Sequence, residues 1–438
     1  MKTDLDAFSL QDFLNQSPCN FLAVDTIRKN LESNGFTELR QADKWSLKVG
    51  GKYFVTKNSS AIFAFVVGTR PIDESGFNII SAHSDSPCFR IKPNPEMVAD
   101  GVLRLNTEVY GGPILYTWFD RPLSLAGRVL LHNPENPTSP IERLIDFEEP
   151  VMVIPHLAIH FNRGVNEGNP LSKQKDMLPV AAIVNDMAEK DNYLLKRIQR
   201  HLQLDNINDI IDFDLFLYNC QKAQLVGFNK EFICSGRIDD LGMAHAAMCA
   251  LLSSDNPQVT KIMAIFDNEE TGSGTKQGAA SPVLANILRR ISTALAIDEE
   301  GFFRALAKSF MISADNAHAA HPNYPEKYDP TNHPKMGSGP AIKINANCKY
   351  MTDAHSSAVF IELCRNANVA FQYFVNRSDV AGGSTLGNIL TSQIDIGGVD
   401  MGNPIWAMHS ASETASIKDQ QAAIDVFTVF YNTALNGF

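Results

Sequence analysis

The stretch 266–273 (FDNEETGS) sets Asp267, Glu269 and Glu270 within four positions, directly after the apolar run 261–265. Carboxylates this close repel one another unless something positive sits among them. Four other stretches have the same character. His83 and Asp85 follow NIISA as H-S-D, Asp239 and Asp240 stand in SGRIDDLG, Asp315 follows FMISA, and His409 follows GNPIWAM. Taken singly, each has an ordinary reading: a hydrogen-bonded histidine, a helix-capping aspartate, a solvated acidic turn. Taken together, they suggest five strand exits delivering His, Asp or Glu to one edge of one sheet, and a metal centre explains them jointly. Histidines plus carboxylates, with no cysteine, form a mixed N/O donor set suited to zinc, manganese or cobalt. In a His-x-Asp element the carboxylate can fix the imidazole tautomer. Adjacent glutamates can divide labour, one binding metal while the other takes a proton from the activated water. The chemistry expected is metal-assisted hydrolysis with two ions bridged by one carboxylate.

The elements that position these residues alternate in type. Ile27 and Leu31 share a helical face that Gly35 ends, and YFVT and AIFAFVVG read as a hairpin through 57–60. FNIISAH (77–83) reads as a strand. From about 95 to 230 short β-like runs dominate: LRLNTEVYGG, LAGRVLLH, PVMVIPHLAI, LPVAAIV, IIDFDLFLYN and AQLVGF, with one helix, NYLLKRIQRHLQ. After 231 the helix–strand alternation returns, with ALAI (294–297) and FMISAD (310–315) among the strands. This pattern predicts an α/β fold: a three-layer α/β/α catalytic domain (1–94 and 231–438) around a mixed, mostly parallel sheet, interrupted by a mostly β insertion over 95–230. Ligands in such sheets gather at the carboxyl ends of strands.

A chain of 438 residues with net charge -11 and no Lys/Arg-rich run is a poor nucleic-acid partner. Its apolar runs fall short of a membrane span, and MKTDLDAFSLQDFLNQ is acidic and polar where a signal peptide is apolar, so a cytoplasmic location is expected. Seven cysteines, scattered singly without CxxC pairs, read as small buried apolar residues.

The same residues carry a family resemblance. SAHSDSPCFRIKPNP (81–95), EVYGGPILYTWFDRPLSLAGRV (108–129), PHLAIHFNR (155–163), GRIDDLGM (236–243), FDNEETGS, ISADNAHAAHPNYPEKYDP (312–330), GPAIKINANCKYMTD (339–353), GGSTLGNIL (382–390) and VDMGNPIWAMHS (399–410) run in order through nearly the whole chain. The sequence resembles the aspartyl aminopeptidases, dinuclear-zinc exopeptidases of family M18. The resemblance implies zinc ligands His83, Asp239 (bridging both ions), Glu270, Asp315 and His409, with Glu269 as general base and Asp85 orienting His83. It implies that Lys343 and Tyr350 recognise a substrate with an acidic N-terminal residue, and that His156 of the insertion enters the active site of a neighbouring subunit. It further implies a tetrahedral dodecamer built from dimers. Two positions depart from the pattern: Asp240 stands where asparagine is more familiar, which leaves open which aspartate bridges, and Thr271 replaces a valine. His318 and His321 are left as structural residues, the ligand set being complete without them.

Overall fold

The computed structural model describes residues 9–184 and 190–435. The first eight residues of the amino-terminal stretch therefore lie outside the described residues. The chain forms two compact units, one of residues 1–85, 223–408 and 413–438 and the other of 86–222 and 409–412.

The first unit is built on a nine-stranded sheet. Across it run Thr37–Glu38, Lys52–Lys57, Ala61–Val66, Thr260–Phe266, Phe77–His83, Phe310–Ala314, Gly397–Gly402, Ala341–Ile344 and Gln372–Val375. The three central strands, 260–266, 77–83 and 310–314, are parallel neighbours, and most of the sheet's pairings are parallel. Every residue of these three strands is buried, which is why they read as unbroken apolar runs rather than alternating ones. Successive side chains nonetheless point to opposite faces. Met263 and Ile265 join one core with helices Asn20–Ser33, Ile238–Ser253, Ala354–Asn366 and Ile417–Asn432, while Ile262, Ala264 and Phe266 join another with Val283–Ala294 and Glu299–Ala307. The result is the expected mixed α/β architecture with helices on both faces. A small sheet of Gln224–Val226, Phe232–Ser235, Glu413–Ser416, Pro404–Trp406 and Ala317–His318 completes the unit.

The second unit is a six-stranded antiparallel sheet, in the order Ile141–Asp146, Leu123–Leu131, Ile210–Asn219, Cys88–Ala99, Val102–Tyr110 and Val180–Ile183, with the helix Tyr193–His201. Asp214 lies between Arg90 and Arg128, whose Nε donates to it at 2.8 Å.

Several sequence expectations differ from these elements. ALAI is not a strand: Ala294 ends a helix, Ala296 takes φ 62, and the Leu295 amide still reaches Ile291. Its apolar side chains pack under the sheet, so burial rather than strand geometry explains the run. PVMVIPHLAI makes only isolated bridges at Met152, Val153 and Ile154. Prolines at both 150 and 155 remove ladder donors. The break between units falls at 85/86 and 222/223, against 94/95 and 230/231 from composition, because one continuous strand runs Cys88–Ala99. Cys19, Cys249 and Cys364 are buried as expected, but Cys348 is exposed. Among the described residues no helix is long and apolar enough to cross a membrane.

Candidate metal centre

Three of the five expected exits leave the nine-stranded sheet, side by side. His83 ends its strand opposite Phe266, Asp267–Glu270 follow Phe266, and Asp315 follows Ala314. The other two do not leave that sheet. Asp239 and Asp240 come at the start of the helix Ile238–Ser253 after a strand of the small sheet, and His409 follows another. Non-helical backbone at Asp239 and Asp240, which are joined by a cis peptide, brings both side chains inward.

His83 is 1% exposed and its orientation is fixed. Its amide donates to Asp240 Oδ2 at 3.2 Å, and its Nδ1 lies 3.0 Å from the carbonyl oxygen of Asp85 and 3.4 Å from that residue's Oδ1. A ring nitrogen beside a carbonyl is the one that keeps its proton, so Nε2 is the nitrogen that offers a lone pair whenever the ring is neutral. The nearer acceptor is thus the Asp85 carbonyl rather than its carboxylate. That carboxylate instead accepts the amides of Glu269 (3.1 Å) and Glu270 (3.2 Å), holding the acidic turn against the His83 strand. Nε2 faces Asp239 Oδ1 at 3.8 Å and Asp315 Oδ1 at 3.9 Å. Without a cation among them these oxygens favour a proton on Nε2; with a divalent cation there, the same nitrogen and oxygens can serve together as ligands. Candidate ligand atoms of His83, Asp239, Asp240 and Asp315 all lie within 4.8 Å of one another, as do those of His83, Glu269 and Glu270.

The electrostatics point the same way. Burial, reinforced by Asp315, Asp85 and Asp239 and opposed by His83, pushes Glu269 up to about 8. Burial and Asp239 hold Glu270 well above the carboxylate range, and burial with Asp315 and Asp239 does so for Asp240. Burial pulls the His83 imidazolium down, but Asp240 and Asp85 outweigh it and raise it well above its ordinary value. Each shift is that of a site short of positive charge, which divalent cations would supply. The residues therefore fit a metal ion.

Both Asp240 oxygens already accept hydrogen bonds: Oδ1 accepts from Asn316 Nδ2 at 3.2 Å and Oδ2 from the His83 amide. The Asp239 amide donates to Glu413 Oε2 at 3.1 Å. Sequence reading missed both Asn316 and Glu413, since neither stands in a spacing that marks it. Asp267, also without an expected role, anchors the turn: it accepts from Asn20 Nδ2 at 3.0 Å and from the Asn268 amide at 2.8 Å. Burial and neighbouring Asp85 push it up to about 7. Lys343 is buried, its Nζ 3.2 Å from Asp315 Oδ2 and 5.8 Å from the centre of the Tyr350 ring. Burial pulls its ammonium down, but Asp315 and Tyr350 raise it above its usual range.

His156 and His409 belong to the second unit. His156 stacks on Phe119 at 3.8 Å and donates from Nδ1 to Asp120 Oδ2 at 3.1 Å. His409 takes φ 69 and places Nδ1 3.1 Å from the Gly112 carbonyl. His318 is exposed and His321 half-buried.

A family described as aminopeptidase I zinc metalloprotease (M18) matches residues 13–431. The chain belongs to the M18 family. This M18 aminopeptidase is 53% identical to the probable M18 family aminopeptidase 2 of Clostridium novyi (strain NT), over 97% of this chain and 98% of that one. Among solved structures it is similar to the Ape4 chain of an Ape4–Nbr1 complex (TM-score 0.92, 34% identity, 97% of this chain and 84% of the other). It is also similar to the S. cerevesiae mApe1 dodecamer (TM-score 0.83, 26% identity, 96% and 95% covered). The M18 aminopeptidase is thus a metal-dependent hydrolase whose His/Asp/Glu cluster is able to hold the metal.

Proposed function

We propose that this enzyme removes N-terminal Asp, and also Glu, from peptides. The observation that carries the reading is His83 Nε2 turned toward Asp239 and Asp315 at 3.8 and 3.9 Å, with Lys343 buried against the same Asp315. His83, Asp239, Glu270, Asp315 and His409 would hold two divalent ions, zinc first and cobalt or manganese as substitutes, with Asp239 bridging. Such ions, when bound, polarise a scissile carbonyl and lower the pKa of water toward about 7. Glu269 accepts the water's proton and passes it to the leaving amine; its raised affinity for a proton suits it to that transfer. Asp85 fixes the His83 ring and the backbone of both glutamates. Lys343 and Tyr350 receive the acidic side chain, and an apolar residue is disfavoured because it offers the buried ammonium no partner in addition to Asp315.

In this reading the β-rich insertion is a dimerisation domain, and the partner subunit's His156 helps stabilise the oxyanion. Its Nδ1–Asp120 bond fixes the ring, and Leu157, Ile159 and Phe161 beside it are exposed apolar residues suited to a subunit contact. A cytoplasmic tetrahedral dodecamer of such dimers is the proposed assembly, in keeping with a dodecameric structural neighbour.

One observation favours a second role for Lys343. Its 3.2 Å contact with Asp315 would make it a counter-charge for a metal ligand. A panel of Asp-, Glu-, Leu- and Ala-anilides, run with and without chelator, tests the function. Asp and Glu turnover that chelation abolishes is expected; chelator-sensitive turnover of Leu or Ala alone would overturn the acidic specificity. A Lys343→Ala enzyme that loses metal but keeps its selectivity would favour the counter-charge role.

A further inference from the structure

Asp400 is completely buried in the strand Gly397–Gly402, and although it stands in the stretch 399–410 no role is expected for it from the sequence. The neighbouring strand Ala341–Ile344 runs antiparallel to it, with Ala341 opposite Gly402 and Ile342 opposite Met401. Lys343 and Asp400 are the next residues on the two strands beyond the last of these pairs, and Asp400 is among the charges that raise the Lys343 ammonium. The carboxylate is also a knot between separate segments. Oδ2 accepts the Met351 amide at 2.6 Å and Oδ1 accepts the Thr385 hydroxyl at 2.6 Å. The Asp400 amide donates to Thr352 Oγ1 at 2.9 Å. Met351 directly follows Tyr350, whose ring lies 5.8 Å from Lys343 Nζ. Gly387 closes on the same oxygens: a Cβ there would stand 2.5 Å from Oδ2 and 2.6 Å from Oδ1.

A lysine ammonium rides on four rotatable bonds and gains directional selectivity only when its surroundings fix it. Buried charged groups that are fully bonded rigidify the segments they join. We propose that Asp400 is a positioning residue for substrate selectivity, holding the Lys343 ammonium and the Tyr350 loop as one rigid receptor for an acidic side chain. This rests on the reading of Lys343 and Tyr350 given above. Asp400 itself touches no substrate; it acts through the strand beside it and the loop it ties down.

The test compares Asp400→Asn, Lys343→Ala and the double variant on Asp- and Leu-anilides, with thermal melting of each. Asp400→Asn is expected to lower the acid-to-neutral ratio of kcat/KM about tenfold or more, through KM for the Asp substrate, while still melting cooperatively. The double variant should show no lower ratio than Lys343→Ala alone, because both changes act on one receptor. A ratio unchanged by Asp400→Asn but lowered by Lys343→Ala overturns the inference and leaves the Lys343 reading standing. A ratio unchanged in both overturns that reading, and the inference with it. Should Asp400→Asn not fold, Thr385→Val deletes one of the two bonds to the carboxylate and keeps its charge. It is expected to lower the same ratio about two- to threefold, and no change would overturn the inference.

Discussion

Asp214 in the six-stranded unit is gripped by two arginines, Arg90 and Arg128, and Arg128 also reaches Glu142 at 3.0 Å. In the other unit Asp239, Asp240, Glu269, Glu270 and Asp315 crowd around one histidine, and Lys343 lies 3.2 Å from Asp315. The first cluster is complete in itself: each carboxylate has a guanidinium of the same unit within ion-pair reach. The second crowds carboxylates together and raises the proton affinity of Glu269, Glu270 and Asp240. A carboxylate cluster that carries its own cations is a structural device. One whose carboxylates outnumber its own cations suits cations from outside.

Breaking the second cluster should have the largest consequence. Glu269→Gln keeps the shape of the turn and the Asp85 bond to its amide, so metal content should be unchanged while kcat falls roughly 10³-fold. Paired elemental analysis and turnover measurements check this; an active variant would remove Glu269 as base.

Metal removal should turn the electrostatics into a pH-dependent stability. Glu269 rises to about 8, Glu270 and Asp240 rise well above the carboxylate range, and His83 rises above its ordinary value. A group whose folded pKa is raised stabilises the fold below its unfolded pKa, and that contribution is lost as pH climbs through the folded value. All four have the same sign. Chelated protein should therefore melt a few degrees lower at pH 8 than at pH 5, and metal-loaded protein should not show this fall. Scanning calorimetry of both forms across that range is the check.

Lys343→Ala is expected to reduce discrimination between Asp- and Leu-anilides by about 10- to 100-fold, measured as the ratio of kcat/KM values. The smallest effect should come from the self-sufficient cluster. Asp214→Asn leaves Arg90 and Arg128 without their shared carboxylate, yet Arg90 has 43% of its side chain exposed and water screens the loss. About 1 kcal/mol of stability should be lost in denaturant unfolding, with turnover intact.

Much of this contrast is legible in the sequence, for a physical reason. The central strands are buried on both faces, so they read as apolar runs, and the polar residue ending each run stands out: His83 after NIISA, Asp315 after FMISA, Glu269 and Glu270 after IMAIF. Asp239 and Asp240 were found for a partly wrong reason. They leave a strand of the small sheet and reach the site through irregular backbone at the start of a helix, which no periodicity encodes. Glu413 and Asp400 could not be found from spacing, because each acts across a fold contact distant in sequence, on the Asp239 amide and on the Met351 amide. ALAI shows the converse limit. Four apolar residues are long enough to resemble a strand, yet a helix end with one left-handed residue packs Ala294, Leu295 and Ile297 against the core as well.

On this account the clustered carboxylates exist to hold metal. Elemental analysis of the purified enzyme, before chelation, after it and after zinc is returned, tests this most directly when read beside Asp-anilide turnover. About two zinc ions per chain, lost together with activity and regained together with it, is the predicted result. A chain without bound metal that cleaves the substrate at an undiminished rate would contradict it.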